Sequence, residues 1–268
     1  MTRPVRHVVS LSGGKDSAAL AIYLRDRLPE IDYVFSDTDK ELPETYDYLA
    51  KIEAHLGKEV IRLRADRGFD HWLQIYGGYL PSPRMRWCTK MLKIRPFEEW
   101  VEKLGDVDVR MYVGIRADED RAGYRPTKPN ITPVYPFVEA GITLEGVHRI
   151  LEESGVGVPP YYSWRTRSGC FFCFYQRKHE WVGLKENHPE LFEQAKLYEK
   201  TDPVTGTRYT WSERESLDQL SEPERVAEIK RRHEATNRSS NAKSTKLLHI
   251  LGQEDEDQDV LPCSFCHI

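Results

Sequence analysis

The run Ser12-Gly13-Gly14-Lys15-Asp16-Ser17 constrains this chain more than any other feature. Ahead of it lies the apolar, β-branched stretch Val8-Val9-Ser10-Leu11, which reads as a short buried strand. Behind it, Ala18-Ala19-Leu20-Ala21-Ile22-Tyr23-Leu24 are good helix formers with nothing to break them before Pro29. A glycine pair between a strand and a helix N-terminus lets the backbone approach an anion closely. The N–H groups of the first helical turn then face that anion, and the helix dipole favours negative charge there. Lys15 adds a mobile cation, and Ser12 and Ser17 add hydroxyls, with Ser10 joining them at the end of the strand. The run reads as a phosphate cradle rather than a bare turn. Its spacing is not the G-x-x-x-x-G-K-[ST] of the usual P-loop.

The following stretch repeats the pattern of short apolar strand and helix. Ile31 to Phe35 reads as a second strand ending at Ser36-Asp37-Thr38-Asp39, and Pro43 to His55 as a helix with proline near its first turn. Glu59 to Leu63 is a third strand, Phe69 to Tyr76 a short amphipathic segment, and Arg110 to Ile115 a further strand. Such β-α units predict an α/β fold with a doubly wound, mainly parallel sheet, and ligands at the carboxyl ends of its strands. Ser12–Ser17, Asp37-Thr38 and Gly114-Ile115-Arg116 would share that edge. Asp37 and Thr38 are candidates for nucleotide or Mg²⁺ contact, with helix capping as the alternative. Arg116 and Arg121 suit phosphate or sulfate, with salt bridges to Asp118 or Asp120 as the alternative.

Thirteen residues from Arg84 to Pro96 hold Arg84, Arg86, Lys90, Lys93 and Arg95 with Trp87 and Cys88, an anion-attracting surface. From Lys90 the apolar spacing is helical, and Pro96 is expected to interrupt or kink it. Thr143 to Ser154 reads as a helix ended by Gly155, closing a domain over residues 1–155. Residues 156–236 form a mostly helical, cysteine-bearing region: an aromatic loop at Pro159-Pro160-Tyr161-Tyr162, then helices at Lys178 to Asn187, Pro189 to Lys200 and Glu222 to Glu234. Residues 237–268 read as a mobile tail.

At 268 residues, 39% hydrophobic and 31% charged, the chain suits one domain with an appendage or two small ones. No apolar run approaches the ~20 residues of a membrane span, and the polar start gives no signal peptide. A cytoplasmic, reducing setting is expected, where cysteines serve as ligands or catalysts rather than disulfides. A net charge of -4 carries no global nucleic-acid signature. The basic stretch Arg225 to Lys246 fits either a solvated helix face or a phosphate-backbone contact.

The Ser12–Ser17 run resembles the pyrophosphate loop of the ATP pyrophosphatases, the adenine nucleotide α-hydrolase group. That group includes phosphoadenylyl-sulfate reductases, tRNA-thiolating enzymes and the sulfur-inserting proteins of DNA phosphorothioation. Asp37-Thr38-Asp39 to Pro43-Glu44-Thr45 is similar to the reductases' D-T-x-x-x-x-P-E-T stretch. Cys88 to Pro96 resembles their C-[TS]-x-x-L-K-x-x-P, and Gly114 to Arg121 their G-x-R-x-x-E/D-x-x-R. The likeness covers about residues 6 to 180 and implies an adenine nucleotide α-hydrolase-like fold. It implies that Ser10, Ser12, Gly13, Gly14, Lys15, Asp16, Ser17, Asp37, Thr38, Gly114 and Arg116 bind ATP with Mg²⁺. Lys90, Lys93, Arg95 and Arg121 would hold the acceptor or its phosphate.

The five cysteines are Cys88, Cys170, Cys173, Cys263 and Cys266. Two C-x-x-C pairs suit one metal, and a zinc knuckle from Cys170, Cys173, Cys263 and Cys266 is one reading. The resemblance favours another. Reductases with a [4Fe–4S] cluster carry a Cys-Cys pair followed some eighty residues later by C-x-x-C, a pattern that Cys88, Cys170 and Cys173 follow in three of four ligands. Cys263 or Cys266 completes the set, or one iron stays open. Cys263 and Cys266 are also the candidates for sulfur-carrying catalysis. The activity implied is ATP-dependent sulfur transfer, most like that of the phosphorothioation proteins. A cysteine desulfurase or other donor, and DNA or a DNA-handling protein, would be the partners. The alternatives are phosphoadenylyl- or adenylyl-sulfate reduction, tRNA thiolation and a non-catalytic nucleotide sensor.

Overall fold

The computed structural model describes residues 3–28, 30–120, 123–203, 206–212 and 215–241. Their contacts divide the chain into two compact units. The first holds the residues up to Gly78 and Arg86–Cys170; the second holds Tyr79–Met85 and the described residues from Phe171 on. The sequence marks a change of character at residue 156. The contacts place the division at Cys170, because Tyr161 and Ser168 are tied to the loop at Ser12 and Gly13.

In the first unit β1 (Val5–Leu11) is followed by α1 (Lys15–Arg25), β2 (Ile31–Ser36), α2 (Pro43–Leu56), β3 (Val60–Leu63) and α3 (Phe69–Ile75). The helix α4 (Arg95–Lys103), β4 (Asp108–Tyr112), β5 (Ile131–Val134) and α5 (Leu144–Glu153) complete it. The five strands are all parallel in the order β3-β2-β1-β4-β5. Val8 and Val9 point to opposite faces, as a pleated strand requires. Val9 and Leu11 join the core made with α1, α2 and α5, while Val8, Val34 and Met111 join the one made with Phe97 and Val101 of α4. Helices therefore cover both faces, which is why the strands read as continuous apolar runs.

The expected break at Pro96 does not occur. Trp87–Thr89, a π-helical turn at Lys90–Ile94, and α4 follow one another without a gap. The wide turn changes the register, with Arg95 N–H bonding to the Lys90 carbonyl five residues back, and Pro96 falls in the first turn of α4.

The second unit holds α6 (Lys178–Asn187), α7 (Pro189–Leu197), β6 (Lys200–Thr201), β7 (Arg208–Tyr209), the short turn Leu217–Leu220 and α8 (Pro223–Asn241). The helix expected to reach Lys200 stops at Leu197, since β6 pairs antiparallel with β7 around the Asp202–Gly206 turn. Trp181, Phe192 and Trp211 are buried in this unit. The last helix runs on past Glu234 to Asn241. Among the described residues no helix is long and apolar enough to cross a membrane.

Candidate nucleotide-binding site

The strand order reverses between β1 and β4, so a crevice opens outside the carboxyl ends of these two neighbours. Both lead straight into sequence-predicted site residues. β1 delivers Ser12–Ser17 and β4 delivers Gly114 and Arg116, with Ser10 buried within β1.

The loop is packed so closely that its two glycines have no room for a side chain. Gly13 has φ +72°, a conformation that side chains resist, and a Cβ there would meet Thr45 Cγ2 at 2.4 Å. Gly14 is the N-cap of α1 and offers no capping side chain. A Cβ at Gly14 would lie 2.8 Å from Ser168 Oγ. Hydroxyls fix the backbone: Ser168 donates to Ser12 Oγ at 3.1 Å, Ser12 N–H donates to Ser17 Oγ, and Ser17 donates to the Gly14 carbonyl. Tyr161 donates to the Gly13 carbonyl at 2.7 Å.

Asp16 and Arg116 are brought together across this crevice. Gly114 makes that possible, for a Cβ there would stand 3.0 Å from the Asp16 carbonyl carbon and oxygen. Arg116 Nη1 bonds Asp16 Oδ1 at 2.8 Å and reaches Glu119 at 3.0 Å, while its Nε bonds Asp118. Lys15 Nζ holds the other Asp16 oxygen at 3.0 Å. Burial acts to lower the Arg116 pKa, but Asp16 and Glu119 outweigh it and raise the value, so the cation persists. The expected partner Asp118 is present, yet buried Asp16 adds a bond that sequence separation hides. The result is two cations beside the loop, each held by carboxylate.

Asp37 occupies a different role from the one its position at the end of β2 suggests. Its carboxylate accepts from Asp39 N–H, from Tyr46 Oη at 2.8 Å, and from Arg64 Nε and Nη2. Four donors engage both oxygens, and Asp16 is likewise engaged by two cations. The carboxylates offered for Mg²⁺ do not fit a metal in this arrangement, and no step below runs through one. Thr38 donates to Glu41 Oε1 at 2.8 Å, and its Oγ1 lies 3.2 Å from Cys170 Sγ. Glu41 is buried, and its Oε2 has no hydrogen-bond partner.

The acceptor candidates are spread. Lys90 is exposed, Lys93 half-buried, and Arg95 pairs with Glu99 at 2.7 Å. Arg95 also lines an open cavity of about 200 Å³ with Arg67, His71 and Trp72. Within Tyr161–Arg167, Tyr161 and Arg165 are each 1% exposed. Arg165 spends its guanidinium on the Gly169 and Cys170 carbonyls. On α8, Lys230 and Arg232 pair with Glu186 and Glu228.

Cys88, Cys170 and Cys173 are each partly exposed. Among the described residues no group of three or more His, Cys, Asp or Glu side chains comes together as a metal site. Cys88 and Cys170 belong to the first unit and Cys173 to the second. Arg121, Cys263 and Cys266 lie outside the described residues. Sequence reasoning missed Tyr161, Tyr162 and Ser168 as walls of the loop. Their only signal was the Pro159-Pro160-Tyr161-Tyr162 run, read as an aromatic loop without a place at the site.

A switch-point crevice with a serine-glycine loop and a carboxylate-held arginine sits at the carboxyl edge of a parallel α/β sheet. Residues 6–132 match the family model for the phosphoadenosine phosphosulfate reductase domain. The chain is 29% identical over 198 residues to an uncharacterized protein of Methanocaldococcus jannaschii, covering 70% of this chain and 40% of that one. A tRNA-specific 2-thiouridylase of Lactococcus lactis subsp. cremoris is 30% identical over 131 residues, 43% of this chain and 35% of the relative. An adenosine 5'-phosphosulfate reductase of Staphylococcus haemolyticus is 30% identical over 124 residues, 46% and 47% of the two chains. The chain spans less than half the length of each of these relatives.

Two solved structures resemble it. One is a phosphoadenylyl-sulfate reductase from Candida auris in a phosphate complex, with TM-score 0.48 and 16% identity over 63% of this chain and 82% of that one. The other is a U34-tRNA thiolase from Methanococcus maripaludis with its [4Fe-4S] cluster, with TM-score 0.42 and 14% identity over 74% and 71%.

Proposed function

We propose that this protein is an ATP-dependent sulfurtransferase. ATP adenylates an acceptor oxygen with release of pyrophosphate, and sulfur then displaces AMP from the activated atom. The observation that carries this reading is the loop: Gly13 and Gly14 admit an anion to the N-terminus of α1, with Lys15 and Arg116 at its side. As pyrophosphate departs, its growing charge draws on these two cations, which Asp16 keeps in place beforehand.

A nucleic acid is the acceptor we assign, and within that class the DNA backbone. Exposed Lys90 and Arg95 support a polyanion, and a tRNA-modifying relative supports the chemistry. A cysteine desulfurase or another persulfide donor would feed the reaction, and Cys263 or Cys266 would carry the sulfur.

The match to the reductase domain favours a second reading, in which the same loop holds phosphoadenylyl or adenylyl sulfate and a cysteine attacks its sulfur. Anaerobically purified protein given ATP with a nucleic acid, or phosphoadenylyl sulfate with a dithiol, separates the two. AMP and pyrophosphate from the first, without sulfite from the second, is the expected result. Sulfite with ATP untouched would replace the proposal by the reductase.

A further inference from the structure

Tyr162 stands at the N-terminus of α1, where an anion would sit, and the proposed chemistry leaves it without a task. Its hydroxyl accepts a long hydrogen bond, 3.4 Å, from Lys15 N–H, and Lys15 Nζ lies 5.0 Å from the ring centroid. A phenol that accepts one bond still has its own proton to donate. Among the described residues no acceptor takes that proton. The ring is held in place by stacking on Tyr161, with centroids 5.1 Å apart at 27°. It is partly exposed, so a ligand can reach it.

Two further observations point to a missing acceptor at this place. Thr45 is 1% exposed, and its buried Oγ1 has no hydrogen-bond partner, while its methyl group packs against Gly13 where a Cβ would stand. A Cβ on Gly14 would stand 3.1 Å from the Tyr162 oxygen, so the glycine lets the hydroxyl approach the α1 N-terminus closely. Burial, with Asp16 adding to it, raises the phenol pKa and keeps it a neutral donor.

We propose that Tyr162 is a substrate-binding residue whose hydroxyl donates to a phosphate oxygen of the nucleotide held at the α1 N-terminus. The slack bond from Lys15 N–H is then exchanged for charge-assisted bonds to the phosphate. The segment that leads out of the nucleotide domain thereby closes its phosphate site, so selection of a polyphosphate depends on residues far from the loop in sequence. The inference rests on reading the loop as a phosphate site.

Tyr162→Phe keeps the stack and the ring under Lys15 and removes only the hydroxyl. Calorimetric titrations of wild type and variant with ATP, pyrophosphate and adenosine, beside thermal melts, test it. The variant should bind ATP and pyrophosphate on the order of 10-fold more weakly, the loss of one bond to a charged group, with adenosine affinity and melting temperature unchanged. Equal affinities in wild type and variant overturn the role of Tyr162 while leaving the loop reading intact. An equal loss for adenosine, or a variant that no longer melts cooperatively, assigns Tyr162 to the fold and overturns the inference. If wild type binds neither ATP nor pyrophosphate, the loop reading falls and this inference falls with it.

Discussion

Arg116 is the residue on which the charge balance of the site turns. It answers Asp16, Asp118 and Glu119 at once, and its planar fork does so in fixed directions that a lysine cannot copy. Removing it leaves the carboxylates of Asp16, Asp118 and Glu119 without their shared cation, with Lys15 still bonded to Asp16. Arg116→Ala should cost about 2–3 kcal/mol of stability, toward the lower end for breaking a buried pair because the site opens to solvent. ATP affinity should fall at least 10-fold, and Arg116→Lys should restore little of either. Denaturant melts and ATP titration check both. An Arg116→Ala protein with wild-type ATP affinity would remove Arg116 from the nucleotide site.

Elements built from local pattern were legible, and contacts across long separations were not. The strand, glycine pair and helix around Ser12–Ser17 lie within one stretch, so their spacing alone gives the strand-turn-helix and its place at the edge of the sheet. The fate of Asp37 depends on Arg64, which arrives only when β3 pairs with β2, and no local signal announces it. Tyr162 meets Lys15 across more than half the chain. The helical run at Trp87–Lys103 was legible from its apolar spacing, but the way it absorbs Pro96 was not, because a π-turn has no strong sequence mark. What anchors that run is Trp87, buried and stacked on Tyr76 at 5.2 Å and 10°, and tilted against Phe69 at 5.0 Å. Trp87→Ala should therefore cost about 3–5 kcal/mol through the cavity it leaves. Since Cys88 and Lys90 follow directly, the loss should also loosen this segment, read as faster amide exchange at 87–95 than elsewhere in the first unit. Exchange unchanged there would mean that α4, not Trp87, holds the segment.

At the scale of the molecule, each unit has its own buried core, so each should answer to solvent conditions through its own charges. In the second unit Glu215 accepts from Arg225 Nε and Nη2 at 2.9 and 2.8 Å and pairs with Lys178 at 2.8 Å, tying the start of α6 to α8. The bonds from Arg225 hold its pKa down; burial opposes them, and Lys178 adds to the lowering, leaving a value of about 2 against an ordinary 4.5. A carboxylate depressed in the folded state contributes its full stability above its unfolded value. That contribution fades as pH falls from about 4.5 toward 2, as the unfolded chain takes up a proton that the folded one resists. The amount is roughly 2 kcal/mol, discounted for partial exposure of the cluster. Glu215→Gln should be less stable than wild type at pH 7 by about that much. The gap should narrow as both are acidified to pH 3, because unfolded wild type is protonated at Glu215 by then while the folded protein still holds the charge. Trp181 and Trp211 lie buried in this unit and contribute to the fluorescence of a denaturant melt. Amide exchange in α6 and α8 identifies which unit responds. A gap between the two proteins that holds constant from pH 7 to pH 3 would show that Glu215 acts by packing rather than by charge.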